Sequence, residues 1–383
     1  MTSLRESIRR LFTPIQPLSS GIYHFQAPPD DPRNYRLHLR LEPDGSGVLI
    51  VNAATVLHLN PTAAEYAYHL VQGESEEIAA EKVASRYRVN RAQARRDYQN
   101  FVDRIDTLVT IPDLDPVSFL DFERQVPFSG EITAPYRLDL ALTYRLPEFS
   151  DRKAAPTERV KQELSTEEWR QALKIAWQVG IPHVVFTGGE PTLREDLLEL
   201  IAEAEKNGQV TGLLTDGFKL ADKTYLEELL QTGLDHLLIL LYPEEEKSWN
   251  ALKNAAVEDI YVTAHLTLTS ENADSVPGWL ARLAELKIRG VSLTTTDLEL
   301  GESLQAARDQ AASLDLDLIW DLPVPYSDQN PVTMEVETAD RPKGAGRAWL
   351  YVEPDGDVLP AQGINHVMGN LLSDPWEKIW KNE

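Results

Sequence analysis

The sequence predicts an α/β protein whose main part is a partial (βα)6 barrel of the TIM type. Three observations support this fold class. Strand-like and helix-like periods alternate between residues 134 and 322, as expected for a parallel sheet with crossover helices. Short strands followed by three helical segments precede that region, which predicts a small winged-helix-like α+β domain. The alternation stops after Pro323, where a short hairpin extension is expected.

The barrel region contains seven apolar strand candidates, most of them followed by an amphipathic helix. The strand candidates are residues 136–143, 183–187, 211–215, 236–241, 260–267, 291–295 and 316–320. The helix candidates are residues 165–179, 194–207, 223–232, 275–287 and 303–314. Repeated βα units of this kind place a ligand site at the carboxyl ends of the strands.

At 383 residues the chain is longer than a typical single domain, so several units are expected. The turn signal Asp44-Gly45-Ser46-Gly47 lies between strand candidates 35–41 and 48–51, and Asn60-Pro61 is typical of a helix start. A proline-containing segment follows the three helices and reads as a linker. The expected division is residues 1–110, a linker at 111–133, the barrel at 134–322 and the extension at 323–383.

The formal net charge of -24 disfavours nucleic acid and anionic membranes as partners, because an acidic surface repels phosphate groups. No apolar run approaches the roughly 18 residues of a membrane span, and residues 1–12 lack the apolar core of a secretory signal. A cytoplasmic location is therefore expected. The chain contains no Cys, which excludes disulfides and thiolate metal sites.

One strand candidate ends in the string Thr187-Gly-Gly-Glu-Pro191, where paired glycines let another group approach the backbone. Here the chain resembles the radical S-adenosylmethionine (SAM) superfamily, specifically its peptide-modifying branch with a C-terminal SPASM extension. The resemblance runs from about Ala134 to the C-terminus. It implies that Gly188, Gly189, Glu190 and Pro191 contact the methionine part of SAM, with Glu190 accepting its ammonium. Thr215 and Asp216 occupy a second turn of the family's cofactor site.

The resemblance also implies a [4Fe-4S] cluster held by Cys-x3-Cys-x2-Cys, a motif that this chain lacks. The three positions are occupied by Leu146, Ser150 and Lys153, and Ala361 stands where a SPASM domain has Cys. Such clusters are held by thiolates, so no cluster is expected here. SAM stays a candidate ligand, although Asp216 replaces the family's Asn and adds negative charge beside Glu190. The later SPASM cysteines have no counterpart, so the extension is expected to be a truncated SPASM-like hairpin.

The N-terminal region resembles PqqD-like domains, also called RiPP recognition elements. The resemblance implies that a leader peptide adds a strand to the small sheet and packs against the third helix. Arg88, Arg91 and Arg95 lie at the start of that helix, where they form a candidate surface for an acidic peptide. A solvated helical face is the simpler reading of the same arginines.

Three functions remain open from the sequence. The first is a non-catalytic peptide-binding or scaffold partner in peptide modification, acting with a peptide and an active radical SAM paralogue. The second is a Cys-free variant of an active radical SAM peptide maturase. The third is a cluster-independent SAM-binding enzyme. A carboxylate pair between Asp139 and Glu190 is a further candidate for acid/base work, against a structural role for Asp139.

Overall fold

The computed structural model describes residues 18–28, 30–52, 55–87, 89–111, 132–295, 297–335 and 342–381. The chain divides into two compact units, Met1–Ile132 and Thr133–Glu383. Most of the predicted linker, residues 112–131, lies outside the described residues.

The N-terminal unit is a four-stranded antiparallel meander with three helices. The elements are β1 (Gly21–Gln26), β2 (Arg36–Leu41), β3 (Gly47–Val51), β4 (Thr55–Leu59), α1 (Pro61–Val71), α2 (Glu76–Tyr87) and α3 (Arg91–Thr110). Strand alternation turns Leu37, Leu39 and Leu41 toward the apolar core that the helices share. Asn60 caps α1, because its side chain accepts a hydrogen bond from the Ala63 amide.

The C-terminal unit is built on one ten-stranded sheet in the order β11-β10-β9-β8-β7-β6-β5-β12-β13-β14. Its first strands and helices are β5 (Arg137–Thr143), α4 (Thr166–Gln178), β6 (His183–Gly188), α5 (Leu197–Asn207), β7 (Val210–Thr215), α6 (Lys223–Leu230), β8 (His236–Leu240) and α7 (Glu246–Ala255). They are followed by β9 (Tyr261–Leu268), α8 (Val276–Glu285), β10 (Gly290–Thr295), α9 (Gly301–Ser313), β11 (Asp317–Leu318), β12 (Trp349–Val352), β13 (Asp357–Leu359), β14 (Gly369–Asn370) and α10 (Trp376–Lys381).

Strands β5 to β11 are parallel, and each is added beside its predecessor, as repeated βα units require. Within the described ranges, β11 does not pair with β5, so the sheet is open. The predicted α/β fold class with a partial barrel is thus confirmed. Strong local signals support the helices, such as the complete capping box that Ser165 and Glu168 form at α4.

The C-terminal extension joins the barrel sheet. β12 runs parallel to β5 on the side away from β6, with Tyr351 opposite Asp139, and β13 and β14 continue antiparallel. The extension therefore covers the edge of the first barrel strand.

The main differences from the expectations are one helix that was not predicted, one helix that starts later and one strand that is shorter. Helix α7 (Glu246–Ala255) was not predicted, because the acidic run before it has no side-chain cap to mark its start. The helix expected from residue 194 begins at Leu197, since Pro191–Leu193 forms a separate 3-10 turn. The strand expected at 316–320 is reduced to Asp317–Leu318, the edge strand of the sheet.

In the parts of the chain that are described, no helix is both long and apolar enough to cross a membrane.

Gly212 provides a test of packing at the amino end of the sheet. Its strand, β7, lies between β6 and β8, whose first residues His183 and His236 approach to 2.8 Å between their Nε2 atoms. A Cβ on Gly212 would lie 2.1 Å from Cε1 of His236, whose half-buried ring also contacts His183.

We therefore expect Gly212→Ala to lower the free energy of unfolding by about 1 to 3 kcal/mol, the usual effect of overpacking. Urea denaturation measures this value. Gly278→Ala is the matched control, because nothing lies within 4 Å of its Cβ position in α8. An unfolding free energy unchanged by Gly212→Ala would contradict the packing described.

Candidate functional site

The Gly-Gly-Glu turn lies at the carboxyl end of β6, pressed against the end of β5. Gly188 has a φ of 128°, and a Cβ there would lie 2.2 Å from the carbonyl oxygen of Thr143. A Cβ on Gly189 would lie 2.4 Å from the carbonyl oxygen of Arg145. The amides of Gly189 and Glu190 donate hydrogen bonds to those two oxygens at 2.8 and 2.9 Å. The glycines thus admit the backbone of the neighbouring strand.

The side chain of Glu190 is buried, with 3% exposure, and its carboxylate is held by three protein donors. Oε1 accepts from the Thr192 amide and the Thr215 hydroxyl, both at 2.8 Å, and Oε2 accepts from the Asp216 amide at 2.7 Å. Thr192 belongs to the 3-10 turn that begins at Pro191. The carboxylate therefore fastens the end of β6 to the end of β7.

A second buried carboxylate, that of Asp216, lies beside the first. Its Oδ1 accepts a hydrogen bond from the Phe218 amide at 2.9 Å. Burial, and then the charge of Glu190, raises the pKa of Asp216 to about 8, and burial raises the pKa of Glu190 above its ordinary value. Asp139 is not the partner of Glu190, because it pairs with Arg137 at 2.7 Å. The carboxylate pair of the site is Glu190 with Asp216.

A small cleft opens above this pair. Its volume is about 10 Å³, and it is lined by Glu190, Asp216, Ser150, Tyr242 and Tyr326 among others. Sites for drug-sized ligands typically measure roughly 300–1,000 Å³. The cleft therefore has room for about one water molecule and not for a nucleoside.

A strap of chain, residues 322–327, fills the barrel beside the cleft. Its Tyr326 amide donates to the Gly188 carbonyl at 2.7 Å, and the Thr187 hydroxyl donates to the Pro323 carbonyl at 2.7 Å. Val324 packs into an apolar cluster with side chains of β6, β7 and β8. The strap thus occupies interior space at the carboxyl end of the sheet.

The four positions aligned with cluster cysteines do not fit an iron-sulfur cluster. Leu146 packs against an apolar cluster that includes Tyr144 and Tyr351, and Ala361 is buried. Lys153 is exposed, and Ser150 is 8% exposed with a hydroxyl that has no hydrogen-bond partner in the described ranges. One hydroxyl and one ammonium are not a cluster ligand set, because iron in such clusters requires thiolates or, in some cases, imidazoles.

The loop that carries Leu146, Ser150 and Lys153 is instead anchored by an arginine. Arg159 forms ion pairs with Glu335 at 2.5 Å and with Glu353 at 3.2 Å. Tyr144 donates to Glu353 at 2.8 Å, and Tyr326 donates to Glu335 at 3.0 Å. These contacts connect the loop, the strap and the C-terminal hairpin.

Three aromatic rings form a cluster that the sequence did not single out, and one of them, that of Tyr242, lines the cleft. The ring of Phe149 lies 5.1 Å from that of Phe218 and 6.1 Å from that of Tyr242, and the last two are 5.4 Å apart between centroids. Phe149 is 59% exposed. The three residues come from separate segments, so only the strand order could have brought them together.

The candidate peptide-binding arginines of α3 are paired with glutamates of α2. Arg95 lies 2.8 Å from Glu76, and Arg91 lies 3.5 Å from Glu81. Arg88 lies outside the described residues. Since these ion pairs are exposed, each contributes little to stability, but they reduce the positive charge available to a partner.

The geometry defines a class of protein: an open parallel α/β barrel with a Gly-Gly-Glu turn at the end of its second strand, preceded by a unit with a small antiparallel sheet. Comparisons with known proteins agree with this class. Residues 147–242 match the radical SAM superfamily, and residues 47–107 match coenzyme PQQ synthesis protein D (PqqD).

Two PqqA peptide cyclases are among the similar proteins. That of Gluconobacter oxydans is 31% identical over 275 residues, covering 64% of this chain and 76% of that protein. That of Xanthomonas oryzae pv. oryzae is 27% identical over 285 residues, covering 65% of this chain and 76% of that protein. This chain belongs to the radical SAM family of peptide-modifying proteins that includes PqqA peptide cyclase, and it carries a PqqD domain.

The solved structures of Streptococcus suis SuiB share the fold. SuiB bound to S-adenosylmethionine has a TM-score of 0.60 at 14% identity, covering 93% of this chain and 88% of that chain. SuiB bound to its precursor peptide SuiA has a TM-score of 0.58 at 13% identity with the same coverage.

The raised pKa values of Glu190 and Asp216 predict that the stability of the fold decreases as the pH rises. For Asp216 the ordinary value of 3.8 applies to the unfolded chain and a value of about 8 to the folded one. Between these limits the folded state holds a proton that the unfolded state releases. The contribution of Asp216 to the free energy of unfolding is therefore complete below its unfolded-state pKa of 3.8. It is lost as the pH rises toward its folded-state pKa of about 8.

We expect Asp216→Asn to remove this loss of stability, which amounts to at most about 1.4 kcal/mol per pH unit for one proton. The free energy of unfolding of the variant should therefore exceed that of the parent chain most at alkaline pH. Urea denaturation across the pH range measures the difference. Glu258→Gln, at an exposed carboxylate, is the control. Parallel pH profiles for the Asp216→Asn variant and the parent chain would show that the pair does not hold the proton.

Proposed function

We propose that this chain is a peptide-binding member of its family that acts without radical chemistry, as a scaffold or partner in peptide modification. The observation that carries the proposal is the chemistry of the cluster positions. Leu146 is half-buried against an apolar cluster, Lys153 is exposed, and the whole chain has no thiolate to offer iron. Reductive cleavage of SAM in this family requires the electron that such a cluster delivers.

The anchoring of the cluster loop supports the same proposal. Arg159 forms ion pairs with Glu335 and Glu353, so protein contacts connect the loop to the extension. A Cys-free variant of an otherwise active enzyme is a weaker reading. Leu146 contributes apolar packing that a cysteine position around a cluster would not need.

A cluster-independent SAM-binding enzyme is the second candidate, favoured by the retained Glu190 turn. Two features weigh against it. The three donors that hold the Glu190 carboxylate come from the protein itself, and the cleft above it is smaller than a nucleoside site.

For the peptide we propose addition to β1, an edge strand of the N-terminal sheet. The Ala27 amide donates to the Tyr35 carbonyl, and alternation along an antiparallel ladder then turns the backbone groups of Ile22, His24 and Gln26 away from β2. An incoming strand can pair with these outward groups. SuiB bound to SuiA is a family precedent for peptide binding.

Anaerobic reconstitution with iron and sulfide tests the loss of redox chemistry. We expect the purified chain to retain less than stoichiometric iron and to lack the visible absorption of a [4Fe-4S] cluster, because no thiolate is present. The triple variant Leu146→Cys, Ser150→Cys, Lys153→Cys, treated in parallel, reports whether the loop can still hold a cluster. A stoichiometric cluster in the unmodified chain would refute the proposal.

A proline at Gln26, one of the three outward positions of β1, tests the peptide site. Peptides selected from a displayed library by the parent chain should bind Gln26→Pro roughly 3- to 10-fold more weakly, since one backbone donor is lost. Val56→Pro is the matched control, because ladder alternation also turns the Val56 amide outward on β4, the opposite edge. Equal affinities for both variants, measured by fluorescence anisotropy, would place the peptide elsewhere.

A further inference from the structure

We propose that β11, the outer strand of the C-terminal sheet, is a second strand-addition surface, and that it accepts an extended peptide segment rich in lysine or arginine. The proposal goes beyond peptide binding at β1, because it concerns another sheet and needs no contribution from the N-terminal unit. Three features of the β11 edge support it: outward backbone groups, an exposed tryptophan and the charge of the surrounding residues.

The first argument is the hydrogen-bonding capacity of the β11 backbone. Strand β11 ends the sheet, since β10 is its one partner among the described strands. The amides of Asp317 and Ile319 donate to the carbonyl oxygens of Arg289 and Val291 at 2.8 and 2.9 Å. Alternation along the strand therefore turns the amide and carbonyl of Leu318 away from β10, where an incoming strand can pair with them.

The opposite edge of the same sheet is closed by its own chain. On β14 the Asn370 amide donates to Oδ2 of Asp374 at 2.9 Å, and α10 follows directly. Proteins commonly protect edge strands with such coverings, with lysine or proline, or by keeping the strand short. Strand β11 is short, but residues 317–320 contain neither lysine nor proline. Its backbone therefore stays open to an incoming strand.

The second argument is an exposed aromatic side chain beside this edge. Trp320 is 52% exposed, and Cζ of Arg308 on α9 lies 4.4 Å from the centre of its ring. Stacked tryptophan and arginine side chains of this kind are enriched at binding hot spots. Leu318 and Trp320 alternate with Asp317 and Ile319, so they share one face of the strand. An incoming strand can pack apolar side chains against that face.

The third argument is charge, which identifies the partner. Residues 297–321 contain seven acidic residues and one basic residue, Arg308, which stacks on Trp320. The acidic residues are Asp297, Glu299, Glu302, Asp309, Asp315, Asp317 and Asp321. A basic segment is attracted to this surface, whereas a second copy of the chain would bring the same acidic residues against it. Charge therefore favours a basic peptide over self-association.

Fluorescence anisotropy of a fluorescein-labelled peptide, Lys-Val-Lys-Val-Lys-Val-amide, tests this surface on the full chain. In an extended strand its lysines lie on one face and its valines on the other, matching the acidic and apolar faces of β11. We expect saturable binding that weakens as the salt concentration rises. The charge-reversed peptide, Glu-Val-Glu-Val-Glu-Val-amide, should not bind.

Two variants locate the bound peptide. Leu318→Pro removes an outward amide and no hydrogen bond to β10, and it should weaken binding roughly 3- to 10-fold. Trp320→Ala should weaken binding roughly 5- to 30-fold, as expected for a hot-spot residue. Val56→Pro, on the β4 edge of the other sheet, is the matched control and should leave the affinity unchanged. Near-ultraviolet circular dichroism establishes that each variant is folded before titration.

Absence of saturable binding, or an affinity insensitive to both Leu318→Pro and Trp320→Ala, would overturn the proposal. Weakening by Gln26→Pro but not by Leu318→Pro would do the same, because the peptide would then lie at β1. Dimerisation in sedimentation equilibrium that Leu318→Pro abolishes would assign the edge to a second copy instead. The β1 site is tested with library-selected peptides, so failure of one site is distinguishable from failure of the other.

Discussion

The hydrogen bonds around the Glu190 carboxylate are the constraint on which the site depends. A carboxylate buried to 3% exposure is tolerable only when donors surround it, and here two amides and a hydroxyl do so. Because those donors belong to the 3-10 turn and to the end of β7, one side chain sets the spacing of two strand ends. Gly188 and Gly189 complete the arrangement by letting the end of β5 pack against the same turn.

The loop that carries the cluster ligands in the family is here connected to the rest of the unit by apolar packing and ion pairs. Leu146 packs with buried tyrosines, and Arg159 connects the loop to the strap and the hairpin through Glu335 and Glu353. Ion pairs of this kind are directional and can fix a loop, whereas a cluster would do so through metal–sulfur bonds. The fold is therefore compatible with the absence of cysteines, and the Gly-Gly-Glu turn has a structural role.

The barrel strands could be predicted from the sequence because their apolar runs, and the glycine and capping signals beside them, are local. The capping box at Ser165 and the turn at Gly188 are examples of such signals. Contacts that depend on the order of the strands in the sheet could not be predicted from these local signals. The carboxylate beside that of Glu190 belongs to Asp216, directly after the next strand, rather than to Asp139, and the aromatic cluster at Phe149 joins three segments. The α3 arginines looked like a basic surface because their pairing with α2 glutamates depends on helix packing.

The central claim is that the Glu190 carboxylate, held by three protein donors, has a structural role in this chain and does not receive a nucleoside cofactor. Calorimetric titration of the full chain with SAM tests it most directly. The account predicts no saturable binding of SAM at millimolar concentration. Micromolar SAM binding that Glu190→Gln abolishes would contradict it.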